Sequence, residues 1–350
     1  MRPHEEQVGF LQIEPTTRCN FTCGFCAGRL LPQGDLDYDD FLGALAAFPE
    51  ARHVEIQGEG EPLLHPRFFE MVEAARARGL KVSFITNGSF LTPENVARIL
   101  DLGVEKVFVS LESPDPETFR RIRGGKLEKV VRGLEALMSA RRDRGLDRPA
   151  VAFAVTVLRD TEAQLDAIAA LYRRLGLDGG MTVQPLERMA VYQDRYDEAM
   201  SAQLLRGDER ERVHLRVLGS PALRRINGRD RAPIASFYEE MMAGWRPGSR
   251  RCPWLERGLY INFQGAAMPC CSVKDEAHAF GRLGVDSRAT ILERRAAVRD
   301  QLASGTIPPT CQGCDMAEYA VARWRDLARI GVRSLKQHLL ARVKAREPGG

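Results

Sequence analysis

Eight cysteines occur in this 350-residue chain, and three of them, Cys19, Cys23 and Cys26, fall in one short CxxxCxxC run. Thiolates in a tight loop suit iron–sulfur clusters or zinc, and a closed structural site normally takes four protein ligands. No fourth ligand is local. A cluster bound here would keep one iron open to another molecule. The remaining readings are a zinc loop completed from a distance and three unrelated buried thiols.

The other cysteines lie far downstream: Cys252 before Pro253 and Trp254, the pair Cys270-Cys271, and Cys311-Gln-Gly-Cys314, after which none follows. Gly265 stands between Cys252 and Cys270. Adjacent side chains on a strand point to opposite faces, so Cys270 and Cys271 are not expected to ligate one cluster together.

The elements that must position these groups show in the hydrophobic pattern. From Val8 to about Leu186, short apolar runs alternate with amphipathic stretches, which predicts a parallel sheet covered by helices. The expected strands are Val8–Glu14, His53–Gln57, Lys81–Thr86, Lys106–Leu111, Val151–Val157 and Met181–Pro185. Between them the expected helices include Asp39–Phe48, Phe68–Arg78, Pro93–Leu102, Leu127–Arg144 and Glu162–Leu175. Thr92 as cap and Pro93 in the first turn mark the start of the third. The cysteine run then follows strand one at its carboxyl end, where open α/β folds place their sites.

Further polar loops follow later strands. After strand two comes Gly58-Glu59-Gly60-Glu61-Pro62, whose glycines allow close backbone approach to a ligand. Strand three ends in Thr86-Asn87-Gly88, strand four in Ser110-Leu-Glu112-Ser113, and Phe119 to Gly125 adds a basic segment containing Arg123.

In this order the motifs resemble the radical SAM superfamily, whose members bind a [4Fe-4S] cluster through three cysteines and S-adenosylmethionine (SAM) at its open iron. The resemblance implies a partial (β/α)6 barrel. It implies cluster ligation by Cys19, Cys23 and Cys26, and SAM contacts from Phe25, Gly58, Gly60, Glu61, Pro62, Thr86, Asn87, Ser110, Glu112, Arg123 and Gln184. The Gly-Glu-Pro run is similar to the element that meets the SAM amino group, and Ser110 and Glu112 occupy the region set against its ribose. Glu112 stands where Asp is common. Arg123 is favoured for the SAM carboxylate because guanidinium pairs bidentately with carboxylates.

Residues from Cys252 to Cys314 resemble the auxiliary-cluster hairpin of SPASM-type enzymes in its shorter twitch form. That likeness implies a hairpin turned at Gly265 and a second [4Fe-4S] cluster on Cys252, Cys270, Cys311 and Cys314; a four-cysteine zinc site is the alternative. Cys271 is left over as an inert thiol, a substitute ligand or a hydrogen-atom donor to a substrate radical. The expected organisation is a barrel over 1–188, a mostly helical connector or substrate-covering segment over 189–250, the twitch domain (β-hairpin plus helix) over 251–320 and a basic helix over 321–350.

Composition narrows the function class. A formal charge of +4 and a hydrophobic fraction of 44% describe a soluble globular chain, with no apolar run of membrane-spanning length. Charges at Arg2, Glu5, Glu6 and Glu14 argue against a signal peptide. Clustered cysteines without an export signal suggest metal sites in the cytoplasm. The basic tail reads as a solvated helix face, so nucleic acid is not expected.

The resemblance implies reductive SAM cleavage to a 5′-deoxyadenosyl radical, hydrogen abstraction from substrate, and a flavodoxin- or ferredoxin-type reductant. Oxidation, epimerisation or radical elimination of a carbohydrate-like or other small polar metabolite is the leading expectation. Glu187, Arg188 and Tyr192, with Gln184, Arg195 and Tyr196, form a polar, aromatic segment past strand six that could bind substrate or move a proton. The eighteen residues before Cys19 leave no room for a leader-binding domain, which favours a small molecule over the alternative, a peptide substrate. A non-catalytic electron carrier or zinc-stabilised binding protein is the reading from another class.

Overall fold

The computed structural model describes residues 7–321 except 187, 188, 190, 191, 193, 207, 229–244 and 247. The expected sites Glu187 and Arg188, and the expected basic helix beyond 321, therefore lie outside the described residues.

Six parallel strands form the frame: β1 (Phe10–Ile13), β2 (His53–Ile56), β3 (Lys81–Thr86), β4 (Lys106–Ser110), β5 (Ala150–Val157) and β6 (Met181–Pro185). They pair in sequence order with unbroken register; Gln12 lies opposite Glu55, Glu55 opposite Ser83, and Ser83 opposite Lys106. The helices α1 (Tyr38–Ala47), α2 (Phe68–Ala77) and α3 (Pro93–Asp101) alternate with the first four strands. Asp37 and Thr92 cap α1 and α3 by accepting from the backbone N–H of Asp39 and Asn95.

The strand side chains divide by pleat. Leu11, Ile13, Val54, Ile56, Val82, Phe84, Val107 and Val109 are buried in the main core with Phe68 and Met71 of α2, and the Phe68 and Phe84 rings meet edge to face at 5.1 Å. Each such side chain contributes roughly 1.5–3 kcal/mol when fully buried. The opposite pleat carries Gln12, Glu55, Ser83 and Lys106, all buried as well. A polar interior inside an apolar jacket is the arrangement of a barrel that holds a ligand.

Between β4 and the long α5 (Leu127–Asp143) stands α4 (Pro116–Arg123), capped by Asp115 and ended by Gly124. The helix expected over Glu162–Leu175 is split into a 3-10 turn, Arg159–Gln164, and α6 (Leu165–Arg174). After β6 come α7 (Glu198–Ser201), α8 (Asp208–Gly219) and α9 (Pro221–Ile226).

The carboxy-terminal part opens with α10 (Pro253–Arg257), then the hairpin β7 (Gly258–Ile261) and β8 (Ala266–Met268), the short β9 (Gly281–Arg282), α11 (Arg288–Ala303) and α12 (Asp315–Val321). Gly265, at φ +78°, takes the hairpin through its turn, and its N–H donates to Asn262 O at 2.9 Å. β7 runs parallel to β1, with Gln12 opposite Tyr260, so the hairpin extends the barrel sheet. The described sheet has nine strands in the order β6-β5-β4-β3-β2-β1-β7-β8-β9. The loop of Cys19, Cys23 and Cys26 follows β1, and Cys270 follows β8, two strands away in the same sheet.

Among the described residues no helix is long and apolar enough to cross a membrane.

Candidate functional site

One cavity of about 620 Å3 is lined by both cysteine groups, Cys19, Cys23 and Cys26 together with Cys252, Cys270, Cys271, Cys311 and Cys314. Its size lies in the usual range for ligand pockets, roughly 300–1,000 Å3.

At the first group, hydrogen-bond donors already face the sulfurs. Phe21 N–H donates to Cys19 Sγ at 3.4 Å, Asn87 Nδ2 to the same sulfur at 3.7 Å, and Arg123 Nη1 to Cys23 Sγ at 3.8 Å. Burial pushes the Cys23 thiol up to about 11 and raises Cys19 and Cys26 as well. Free thiols here hold their protons at neutral pH, and iron would displace them. Among the described residues no three His, Cys, Asp or Glu side chains converge as a single metal ion requires. The thiolates of a cluster bind separate corners, so a buried, donor-fringed thiol set fits an iron–sulfur group.

The loop after β2 is fixed by its neighbours. A Cβ on Gly60 would lie 2.3 Å from Thr16 O and 2.6 Å from Arg18 O, so the cysteine loop's own backbone demands glycine there. Close approach between two protein loops, rather than approach to a ligand, explains that residue. Glu61 is fully enclosed: its carboxylate accepts from Thr86 Oγ1 and Asn87 N, each at 2.7 Å, and from Leu63 N at 3.3 Å. Burial outweighs these bonds and pushes Glu61 up to about 7.

Arg123 and Glu112 are brought together, though sequence reasoning gave them separate tasks. Arg123 Nη2 donates to Glu112 Oε1 at 2.6 Å and its Nε to Oε2, so Glu112 takes the side-on edge of the guanidinium. Glu112, expected against the ribose, is wholly buried and faces Arg123 instead; like Pro62 it is absent from the cavity wall. Arg123 lines the cavity, and its Nη1 is the nitrogen turned to Cys23. Phe25, Gly58, Gly60, Glu61, Thr86, Asn87, Ser110 and Gln184 line it too, as do Tyr192 and Tyr196.

At the second group, burial pushes Cys311 up to about 12 and raises Cys252 and Cys270. Cys252, Cys270, Cys311 and Cys314, the four expected ligands, all line the cavity together with Cys271. Cys271 is electrostatically coupled to Lys274 and Tyr260. The strand argument for separating Cys270 from Cys271 does not hold, because β8 stops at Met268. Pro269 has no N–H for the ladder and releases the chain into a turn.

Sequence reasoning missed three charged residues that join the two halves. Glu14, buried just beyond β1, accepts Glu59 N at 2.7 Å through Oε1 and Phe263 N at 3.2 Å through Oε2. Glu59 Oε1 is 2.7 Å from Lys274 Nζ and accepts from Tyr192 Oη at 2.8 Å, while Cys26 Sγ lies 3.4 Å from its other oxygen. Although burial opposes it, Lys274 holds Glu59 below the usual carboxylate range, and Glu59 and Glu14 hold Lys274 above the usual ammonium range. The signal available was position, since Glu59 lies inside the Gly-rich motif and Lys274 just after Cys271.

Comparison with known proteins places this architecture. The model of the radical SAM superfamily matches residues 13–172, and that of the SPASM iron–sulfur cluster-binding domain matches 252–315. A cofactor-modifying protein of the tungsten-containing aldehyde ferredoxin oxidoreductase from Pyrococcus furiosus is 32% identical over 178 residues, covering 48% of this chain and 49% of its own. A GTP 3′,8-cyclase from Hydrogenovibrio crunogenus is 32% identical over 202 residues, covering 54% and 57%. The chain spans about half the length of the curated relatives it matches.

Among solved structures, anSMEcpe with bound AdoMet and Cp18Cys peptide superimposes with a TM-score of 0.68 at 15% identity, covering 96% of this chain and 98% of that one. Streptococcus suis SuiB bound to S-adenosylmethionine gives 0.57 at 16%, covering 90% and 72%. At these identities the likeness is one of fold.

Residues 13–172 therefore form a radical SAM domain, and residues 252–315 a SPASM/twitch iron–sulfur domain at the carboxy-terminal end. The cofactors that these two domains take are SAM and iron–sulfur clusters.

Proposed function

We propose that this enzyme oxidises or rearranges a small polar metabolite held between the two clusters. The observation that supports this best is the cavity shared by both cysteine groups, which would bring a substrate within reach of both clusters. When bound, SAM and the first cluster supply hydrogen-atom abstraction from an unactivated C–H bond, and the auxiliary cluster supplies a one-electron acceptor.

Cys19, Cys23 and Cys26 would hold the first cluster, and Cys252, Cys270, Cys311 and Cys314 the second. Asn87 and Arg123 orient the first thiol set, and the Glu61 carboxylate braces the Thr86-Asn87 turn. Lys274, Tyr192 and Gln184 present polar groups to the substrate, with Lys274 and Tyr192 fixed by Glu59. Cys271 lines the same cavity as Lys274 and the other auxiliary thiols and packs with Tyr260, which suits a thiol that meets substrate. If it returns hydrogen, the outcome is epimerisation; if the cluster takes the electron, it is oxidation.

The names of the relatives favour a small molecule, since they specify a cofactor, GTP and, for an AdoMet-dependent heme synthase from Methanosarcina barkeri, heme. A peptide substrate is the second reading, favoured by the fold shared with the peptide-bound anSMEcpe. A cytoplasmic setting and a flavodoxin- or ferredoxin-type reductant complete the proposal.

Deuterium transfer tests it. A perdeuterated small-molecule extract should carry label into 5′-deoxyadenosine, while a perdeuterated peptide fraction should not. The reverse pattern would replace the small-molecule reading with peptide modification.

A further inference from the structure

Around the auxiliary thiols two hydrogen-bond donors have no acceptor among the described residues. Thr310 immediately precedes Cys311, and its Oγ1 is buried with no hydrogen-bond partner. Arg210, from α8, pairs through Nη2 with Asp315, the residue after Cys314, while its Nη1 is likewise buried and unpartnered. Both residues line the cavity beside Cys311 and Cys314. An unsatisfied buried donor costs about 1–3 kcal/mol, so two of them at one thiol set call for an acceptor there.

A third group adds charge. Arg295 on α11 is wholly buried, and α11 packs on α10, which begins at Cys252. A guanidinium stays positively charged throughout the physiological pH range. A cluster held by four thiolates is anionic, and its sulfurs accept hydrogen bonds.

We propose that Arg210, Thr310 and Arg295 are positioning residues for the auxiliary cluster, donating to or electrostatically facing its sulfur ligands and thereby raising its reduction potential. Reduction adds an electron to an anionic centre, so N–H and O–H donors and a nearby cation stabilise the reduced state more than the oxidised one. The inference rests on the two-cluster reading above and deepens it: this cluster is built to receive an electron. In the oxidation it serves, the substrate radical left by hydrogen abstraction gives one electron to the oxidised cluster and one proton to solvent, forming the new double bond.

The test isolates the auxiliary cluster in the full-length Cys19/Cys23/Cys26→Ala protein and measures its midpoint potential by electron paramagnetic resonance during redox titration. Thr310→Val keeps shape and removes the donor; Arg210→Gln and Arg295→Gln remove charge, and Arg295→Lys restores it. The expected result, with iron and sulfide content unchanged, is a lower potential in each neutral variant. Thr310→Val and Arg210→Gln together should shift the reduction equilibrium at least tenfold, about 59 mV for one electron, and Arg295→Lys should recover most of the loss seen with Gln.

Unchanged potentials in cluster-replete variants would overturn the proposal. Should a variant assemble no cluster, deuteron couplings to the reduced cluster of the unsubstituted Thr310, Arg210 and Arg295 in D2O decide the matter. Exchangeable deuterons coupled to the cluster support the donors, and their absence contradicts them. Potentials are read without SAM turnover, so failure to find a substrate would not be mistaken for failure here.

Discussion

Lys274 Nζ and Glu59 Oε1 are 2.7 Å apart, with their side chains only 5% and 14% exposed. The two residues belong to different motif regions, the Gly-rich loop after β2 and the turn after Cys271, and their contact fastens one to the other. Glu14 repeats the fastening through the backbone of Glu59 and Phe263. The spacing between the two cysteine groups is therefore set by buried charge as well as by the β1–β7 pairing.

Removing one member of this pair leaves the other buried and uncompensated, at a cost of about 3–5 kcal/mol. Lys274→Met should lower the chemical denaturation midpoint accordingly, and Glu59→Leu combined with Lys274→Met should regain most of it. A loss below about 1 kcal/mol in the single variant would mean that the pair is solvated in solution.

Gly60→Ala places a methyl group against the carbonyls of Thr16 and Arg18 and must move the loop that carries Cys19. Iron in the reconstituted variant should fall from about eight to about four atoms per chain, the auxiliary cluster remaining. Retention of about eight would show that the cysteine loop tolerates the shift.

Arg123 is oriented by Glu112 along its side-on edge. Arg123→Lys loses that fork and should weaken SAM binding at least tenfold, about 1.4 kcal/mol, in equilibrium dialysis. Glu112→Gln keeps an acceptor and should cost less. Equal affinity in all three proteins would remove Arg123 from the SAM site.

Glu55 lies inside the barrel with Oε2 accepting from Ser83 at 3.0 Å and Oε1 without a hydrogen-bond partner among the described residues. Burial pushes it up to about 7 from an ordinary value of 4.5. A raised carboxyl favours folding in its protonated form below about pH 4.5, and that contribution is lost as pH climbs through 7. Glu55→Gln should leave stability unaltered at low pH and raise it by roughly 3 kcal/mol at pH 8. A pH-independent difference would show that Glu55 titrates normally.

Much of the frame was legible in the chain. Alternating apolar runs fixed the six strands to within two residues at either end, and Thr92-Pro93 marked a helix start because capping is local chemistry. The pairing of β7 with β1 was not legible, since Gln12 and Tyr260 are remote in sequence and only the folded sheet joins them. Pro269 was visible, yet its consequence for Cys270 and Cys271 was overlooked. Glu59 and Lys274 escaped because an isolated charge in sequence reads as solvated until its buried partner is known. Arg123 and Glu112 were both noticed, but their mutual engagement is a tertiary fact.

The central claim is that the first cysteine loop holds a cluster that cleaves SAM. Reconstituted protein incubated anaerobically with SAM and dithionite should form 5′-deoxyadenosine, and the Cys19/Cys23/Cys26→Ala variant should form none. A reconstituted protein that neither assembles the first cluster nor binds SAM would contradict the account.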